Sequence, residues 1–175
     1  MLSSLLPNPL HPAVVHLPMA LTLLLPLFVF GSLWAIRRGS APRVAWGVTA
    51  ALFAALALSA WVAVETGEDT AEQVERVVTE ETVETHEERA EAFQLMSAVM
   101  LGVALVGFAP GRAGQAARLT SAVGSVVLLG AGWQVGHSGG ALVYQHGAAS
   151  AYATPGGSAE KAPATRTGSG GDDDR

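Results

Sequence analysis

Five histidines are the side chains of this sequence best suited to chemistry. They are His11, His16, His86, His137 and His146. Cysteine is absent, which leaves imidazole, carboxylate and thioether groups as metal ligands. Its absence also excludes disulfides, thiolate sites, iron–sulfur clusters and covalent c-type haem attachment. The chemistry open to the histidines is therefore the binding of haem b or of a metal ion such as zinc or copper.

The elements that position these histidines are four long apolar segments. A transmembrane helix needs about 20 mostly apolar residues to cross a hydrocarbon layer of about 30 Å. Four segments meet this requirement without any Lys, Arg, Asp or Glu: residues 13–36, 44–64, 92–109 and 119–136. Helices of a water-soluble bundle would each carry a polar face, which these segments lack. We therefore predict an all-α fold, an integral membrane four-helix bundle formed by residues 1–147.

The charges of the chain predict how this bundle is oriented. Eleven of the fifteen acidic residues lie between Glu65 and Glu91, in the connection between the second and third spans. The two short connections carry no acid and five arginines: Arg37, Arg38, Arg43, Arg112 and Arg118. Basic connections stay in the cytoplasm during membrane insertion. The acidic connection and both termini are therefore predicted to be extracytoplasmic.

Three further segments have a predicted conformation. Residues 70–89 are good helix formers with valines on a narrow stripe, which indicates an extracytoplasmic acidic amphipathic helix or a water-exposed extension of the third span. The glycine-rich run 136–140 is costly in a helix, so the fourth span is predicted to end there and to turn back over the bundle mouth. Residues 148–175 are mostly Ala, Gly, Ser, Thr and Pro, a composition that predicts a disordered tail.

This topology brings the histidines to one end of the bundle. His11 and His16 lie at the start of the first span, His86 lies before the third, and His137 follows the fourth. Glu65 ends the second span on the same side. An ionisable side chain within an apolar run normally faces the bundle interior, so we expect His16 to point inward. His11 lies outside the run, where contact with lipid headgroups is the simpler interpretation.

The predicted cluster has three interpretations. The first is a b-type haem protein for electron transfer, with His16 and either His86 or His137 as axial ligands. The second is a non-haem zinc or copper site. The third is a structural or assembly subunit in which the polar groups form a hydrogen-bond network without a cofactor. The candidate metal ligands are His11, His16, Glu65, His86 and His137.

Other function classes receive less support. The zinc-protease motif His-Glu-x-x-His fails because Ala90 stands where the second histidine is needed. No glycine-rich phosphate loop follows a strand, since no strand is predicted. Four spans without a charge near the membrane centre give little basis for transport. A basic patch that would hold nucleic acid is also absent from the sequence. The predicted partner is the lipid bilayer, because the four apolar segments are long enough to cross it.

Two motifs carry a resemblance to a known family. The segment HPAVVHLP, which begins at His11, resembles His-Pro-x-x-x-His-Phe-Pro, with Leu17 in place of the usual Phe. The segment GHSGGALVY, which begins at Gly136, resembles Gly-His-x-Gly-Gly-x-Leu-Val-Tyr. Both motifs are typical of a bacterial family of predicted membrane proteins classed as a domain of unknown function. The resemblance covers residues 8–147 and implies a bacterial inner-membrane protein, sometimes found beside cytochrome-like or other redox proteins.

Overall fold

In the computed structural model, which describes residues 10–152, four long helices pack side by side and short connections join them. The elements in chain order are α1 (His11–Val14), α2 (His16–Arg37), α3 (Pro42–Glu75), α4 (Glu80–Val106), α5 (Gly111–Tyr144) and a 3₁₀ helix (Ala148–Tyr152). Each of α2 to α5 packs against the next, and α5 packs back against α2. Every regular element of the described residues is helical, and four helices are long and apolar enough to span a membrane. The predicted all-α membrane bundle is confirmed.

The main apolar core lies between α2, α3, α4 and α5. We call it the membrane cluster, and its buried members are Leu21, Leu25, Val29, Trp46, Ala50, Phe53, Leu56, Ala60, Phe93, Met100, Ala104, Ala122 and Leu128. Two of the buried hydroxyl groups beside it bond to backbone carbonyls of their own helices. The hydroxyl of Thr22 donates to the Pro18 oxygen over 2.6 Å, and that of Ser97 donates to the Phe93 oxygen over 2.8 Å. These bonds satisfy polar groups that lipid cannot satisfy.

The acidic connection continues two spans instead of forming a helix of its own. Helix α3 runs without a break to Glu75, and α4 begins at Glu80 after a short turn. This turn interrupts residues 70–89, so the separate amphipathic helix predicted there is wrong. The alternative prediction, a water-exposed extension of the third span, agrees with the structure for residues 80–89, which form the first part of α4. Val78 in this turn and Val83 in the first part of α4 are buried in one apolar cluster, which holds the turn against the bundle.

A second, smaller apolar cluster lies at this acidic end. We call it the cap cluster, and it consists of Val78, Val83, Leu142 and Ala148, with Ala71 and Val74 packed against them. Its members come from the ends of α3, α4 and α5 and from the 3₁₀ helix. Residues 148–152, which the sequence predicts to be disordered, thus form a 3₁₀ helix that packs against α3 and α5. The rest of that predicted tail lies outside the described residues.

Helix α5 passes through the glycine-rich run 136–140 and ends at Tyr144. The predicted turn of the chain at this run is therefore wrong. Each glycine costs a helix roughly 1 kcal/mol relative to alanine, but close packing offsets this cost here. A Cβ atom at Gly139 would lie 3.0 Å from Cε1 of His86, so glycine lets the ring rest against the helix. One turn further, Leu142 is buried in the cap cluster.

The basic end of the bundle is held by side chains that satisfy the end of α4. The last carbonyl groups of a helix have no donors within the helix itself. The Nε1–H group of Trp46 donates to the Ala104 oxygen over 2.8 Å, and Nη1 of Arg118 donates to the Gly107 oxygen over 2.6 Å. Because Trp46 belongs to α3 and Arg118 to α5, both neighbours of α4 fix its end.

Candidate histidine site

Four polar side chains form a layer between the membrane cluster and the cap cluster. We call it the histidine layer, and it consists of His11 on α1, Thr66 on α3, His86 on α4 and Ser138 on α5. The order of residues along α5 shows its position, since Ser138 lies between Val135, packed on the membrane cluster, and Leu142 of the cap cluster. The same order holds along α3 and α4. Helices α1, α3, α4 and α5 therefore each contribute one polar group at one level.

The imidazole of His11 is fixed by α3. Its Nδ1 lies 2.8 Å from the Ala63 carbonyl oxygen and 3.4 Å from Oγ1 of Thr66. A carbonyl oxygen only accepts, so we assign the ring proton to Nδ1, and Nε2 keeps its lone pair in the neutral ring. Gly67 provides the space, because a Cβ atom there would lie 3.1 Å from Cε1 of His11. The expectation that His11 mainly contacts lipid headgroups is wrong.

The imidazole of His86 joins α4 to α5 in the same way. Its Nδ1 lies 2.8 Å from Oγ of Ser138. The Ser138 hydroxyl donates its own proton to the Val135 oxygen over 3.0 Å, so its oxygen is left to accept from the histidine. We therefore assign the proton of neutral His86 to Nδ1, which again leaves a lone pair on Nε2.

The two fixed imidazoles are close to each other. The ring centroids of His11 and His86 are 6.4 Å apart, and the ring planes are inclined by 82°. Two histidines that are 75 positions apart in the chain thus meet at one end of the bundle. The sequence analysis expected His16 to pair with His86 or His137, whereas the structure brings His11 and His86 together.

The chain matches the model of a known protein family. Residues 7–151 match the model of the family described as predicted membrane protein (DUF2231). The chain belongs to the DUF2231 family. The match includes both motifs that suggested the resemblance, and it includes the whole histidine layer. No curated protein and no solved structure matches the chain. This DUF2231 protein is a multi-pass membrane protein whose helices contact the lipid bilayer.

His16, expected to point inward, is exposed on the surface of this DUF2231 bundle. Its Nδ1 lies 3.3 Å from the Ala13 oxygen, one turn away on the same segment. The buried face of α2 begins at Pro18 and continues through Leu21 and Leu25. At about 100° per residue, His16 lies about 200° around the helix from Pro18. The expectation of an inward imidazole is therefore corrected.

His137 and Glu65 are exposed for the same geometric reason. His137 lies about 100° from the buried Ser138, and Glu65 lies about 200° from the buried Ala63. Among residues 10–152, no group of three or more His, Asp or Glu side chains is close enough to hold a metal ion. The larger predicted cluster of three histidines with Glu65 is therefore not assembled.

The sequence prediction missed the two hydroxyl groups of the histidine layer. Thr66 directly follows Glu65, and Ser138 directly follows His137. The prediction therefore chose Glu65 and His137, each one residue before the hydroxyl side chain that belongs to the histidine layer. One step along a helix turns a side chain by about 100° around the helix axis. The glycine after each hydroxyl was the available signal. Glycine inside a helix often marks a position where another group approaches closely, and here that group is a histidine ring.

Proposed function

We propose that this DUF2231 protein binds one copper or zinc ion in its histidine layer, through Nε2 of His11 and Nε2 of His86. The observation that carries the proposal is that each Nδ1 lies 2.8 Å from an acceptor oxygen. The tautomer assigned from these two contacts keeps a lone pair on each Nε2. Histidine ligands of metals usually donate their other N–H group to a carbonyl, a carboxylate or a similar acceptor, which fixes the ring. The Ala63 carbonyl and the Ser138 hydroxyl supply these acceptors.

The separation of the rings supports a shared ion. Imidazole nitrogen binds zinc at about 2.0–2.1 Å, which puts two rings on opposite sides of one ion with their centroids about 6 Å apart. The observed centroid separation of 6.4 Å is close to this value, and binding of one ion would require both Nε2 atoms to turn toward it. Imidazole suits both copper and zinc. Because structural zinc sites use four protein ligands, a two-histidine site leaves positions for water or an exchangeable ligand.

Haem b, the other cofactor suggested by the sequence, has less support. The axial ligands considered for it include His16 and His137, and both side chains are exposed. A porphyrin between His11 and His86 would require the helices to separate, because these rings already rest against the backbones of α3 and α5. An absorption spectrum of the purified protein tests this, since a Soret band would favour haem over a single ion.

A structural role without a cofactor is the second candidate. It is favoured by the fact that both Nδ1 bonds join different elements, α1 with α3 and α4 with α5. Hydrogen bonds between membrane helices contribute about 0.6 kcal/mol on average and up to about 2 kcal/mol. In this alternative, the histidine layer holds the cap cluster over the membrane cluster, and no ion binds.

Metal titration separates the two candidates. The purified chain, freed of metal in detergent, is titrated with Zn²⁺ and with Cu⁺ against a chelator of known affinity. We expect one ion per chain, a loss of at least tenfold in affinity for His86→Ala, and a loss of about tenfold for Ser138→Ala. His137→Ala is the matched control, since this histidine is exposed at the same end. Absence of binding by the unaltered chain, with a lower melting temperature for His86→Ala, would establish the structural role.

We also propose that the acidic end faces away from the cytoplasm of a bacterial inner membrane, beside the redox partners that the family resemblance suggests. The five arginines at the opposite end support this orientation. The natural absence of cysteine allows a direct test. A membrane-impermeant maleimide added to intact cells should label Ser150→Cys and spare Ser40→Cys, both at exposed positions. The reverse pattern would reject the orientation.

A further inference from the structure

A groove between α3 and α4 combines an apolar floor with an acidic rim. Its volume is about 680 Å³. The rim consists of two carboxylates from each helix, Glu65 and Glu68 on α3 and Glu88 and Glu91 on α4. Val64, Ala92, Leu95 and Ala98 line the apolar part of the same groove, together with Gln94. The groove therefore passes from a charged entrance at the acidic end into the apolar part of the bundle.

Among residues 10–152, no arginine lines the rim of this groove. The side-chain hydrogen bonds within residues 10–152 do not involve any of the four rim carboxylates. The acidic connection contains two arginines, and neither lines this groove. Arg89 lines a different groove, between α4 and α5, and Arg76 is exposed in the turn that joins α3 to α4. The groove therefore presents four carboxyl groups above an apolar surface, without an arginine of residues 10–152 among its lining residues.

The floor is shaped for the close approach of a helix. Ala92 and Ala98 are exposed alanines on α4, and small residues let helices pack closely in a membrane. Leu95 between them is 67% exposed, so it offers an apolar surface that no element of residues 10–152 covers. A matching occupant is apolar where it meets this floor and positively charged where it meets the rim.

We propose that the groove docks one transmembrane helix of a different protein, and that this helix carries lysine or arginine at its end beside the acidic rim. Charge complementarity selects this occupant. A second copy of this chain fits the rim less well, because the connection from Glu65 to Glu91 at its own acidic end carries eleven acids against Arg76 and Arg89. This interaction is independent of metal binding by the histidine layer.

A peptide of defined sequence tests the proposal. The full chain, labelled at Ser150→Cys with a fluorophore, is reconstituted in vesicles with a labelled leucine–alanine transmembrane peptide that has two arginines at one end. Energy transfer then reports association. We expect association with the arginine peptide, and about tenfold weaker association with a peptide in which glutamine replaces both arginines.

Two sets of variants locate the binding surface. The rim variant E65Q/E68Q/E88Q/E91Q should bind the arginine peptide about tenfold more weakly. Its matched control, E72Q/E75Q/E80Q/E81Q, removes the same charge at exposed positions outside the groove and should change binding by less than twofold. Ala98→Leu should weaken binding by filling the floor, whereas Ala54→Leu, at an exposed position on α3 outside the groove, should not.

Three results would overturn the proposal. Equal association of the arginine and glutamine peptides would show that the rim does not select the helix. If the rim variant and its control weaken peptide association equally, the net charge of the protein attracts the peptide, and the groove does not bind it. Energy transfer between two copies of the chain that is lost in the rim variant would identify a second copy as the occupant. Circular dichroism of each variant checks that the helices are intact.

Discussion

The membrane cluster and the cap cluster are built from similar apolar side chains, but different solvents surround them. The membrane cluster has thirteen buried members and lies where lipid surrounds the helices, whereas the cap cluster has four and lies among the acids of the connection. Lipid chains are as apolar as leucine, so close packing and hydrogen bonds hold helices together there. In water, removal of apolar surface from the solvent is itself the driving force. Contacts between apolar side chains therefore stabilise the membrane cluster through close packing and the cap cluster through removal of apolar surface from water.

This difference indicates which part of the molecule opens first. Burial of one Val or Leu side chain in water contributes about 1.5–3 kcal/mol, and the cap cluster has few such side chains. The histidine layer adds the bonds from His11 to α3 and from His86 to α5 beneath it. We therefore expect the cap cluster to open as a local unit while the membrane cluster stays packed.

The largest effect is expected from Trp46→Ala in the membrane cluster. Trp46 is fully buried, and its Nε1–H group satisfies the Ala104 oxygen near the end of α4. Truncation leaves a cavity and removes one of the two donors to the Ala104 oxygen, the other being the Gly107 N–H group at 3.0 Å, so we expect a loss of about 3–5 kcal/mol. Unfolding in mixed detergent and dodecyl sulfate micelles measures it. Trp133→Ala is the control, because Trp133 is 76% exposed. Equal losses for both variants would show that packing does not determine the stability of this cluster.

A smaller and local effect is expected from Leu142→Ala in the cap cluster. Leu142 is buried against the ends of α3 and α4, and its truncation should cost about 2–3 kcal/mol. Amide hydrogen exchange should become about 30- to 100-fold faster in residues 71–86 and stay unchanged in residues 46–60. Val143→Ala, at an exposed neighbouring position, should change neither segment. Faster exchange in both segments would mean that the two clusters unfold as one unit.

The four spans could be predicted from the sequence because the requirement that produces them is simple. An uninterrupted apolar run must be helical in lipid, where every backbone group needs an internal partner. The positions where helices end did not follow from such a rule. Residues 136–140 have low helix propensity, yet α5 continues through them because the His86 ring and Leu142 pack there. Tertiary contacts of this kind cannot be derived from the local sequence.

The histidine layer could be predicted only in outline. The topology places His11 and His86 at one end of the bundle, and their pairing in the structure agrees with this. The facing direction of each side chain depends on helix phase, which a uniformly apolar segment does not specify. His16 illustrates this, since the residues on both faces of α2 are apolar and only the packed structure shows that Pro18 starts the buried face. The anchoring hydroxyls were missed for the same reason.

The smallest effect, and the sharpest comparison, comes from two adjacent glycines of α5. Substitution of either by alanine should stabilise the helix by up to about 1 kcal/mol through helix propensity alone. At Gly140 nothing lies within 4 Å of the new Cβ atom, so Gly140→Ala should show this gain. At Gly139 the new atom would lie 3.0 Å from Cε1 of His86, which must shift and strain its 2.8 Å bond to Ser138. We expect Gly139→Ala to destabilise the cap cluster by about 1 kcal/mol.

A second substitution tests why Gly139→Ala and Gly140→Ala are expected to change the stability of the cap cluster in opposite directions. In a His86→Ala background the ring is gone, so Gly139→Ala should become stabilising like Gly140→Ala, which gives a coupling of about 1–2 kcal/mol in a double-mutant cycle. Hydrogen exchange of residues 71–86 in all four combinations of the two substitutions measures this coupling. If Gly139→Ala destabilises equally with and without His86, the ring is not what requires glycine at this position, and the histidine layer does not control the stability of the cap cluster.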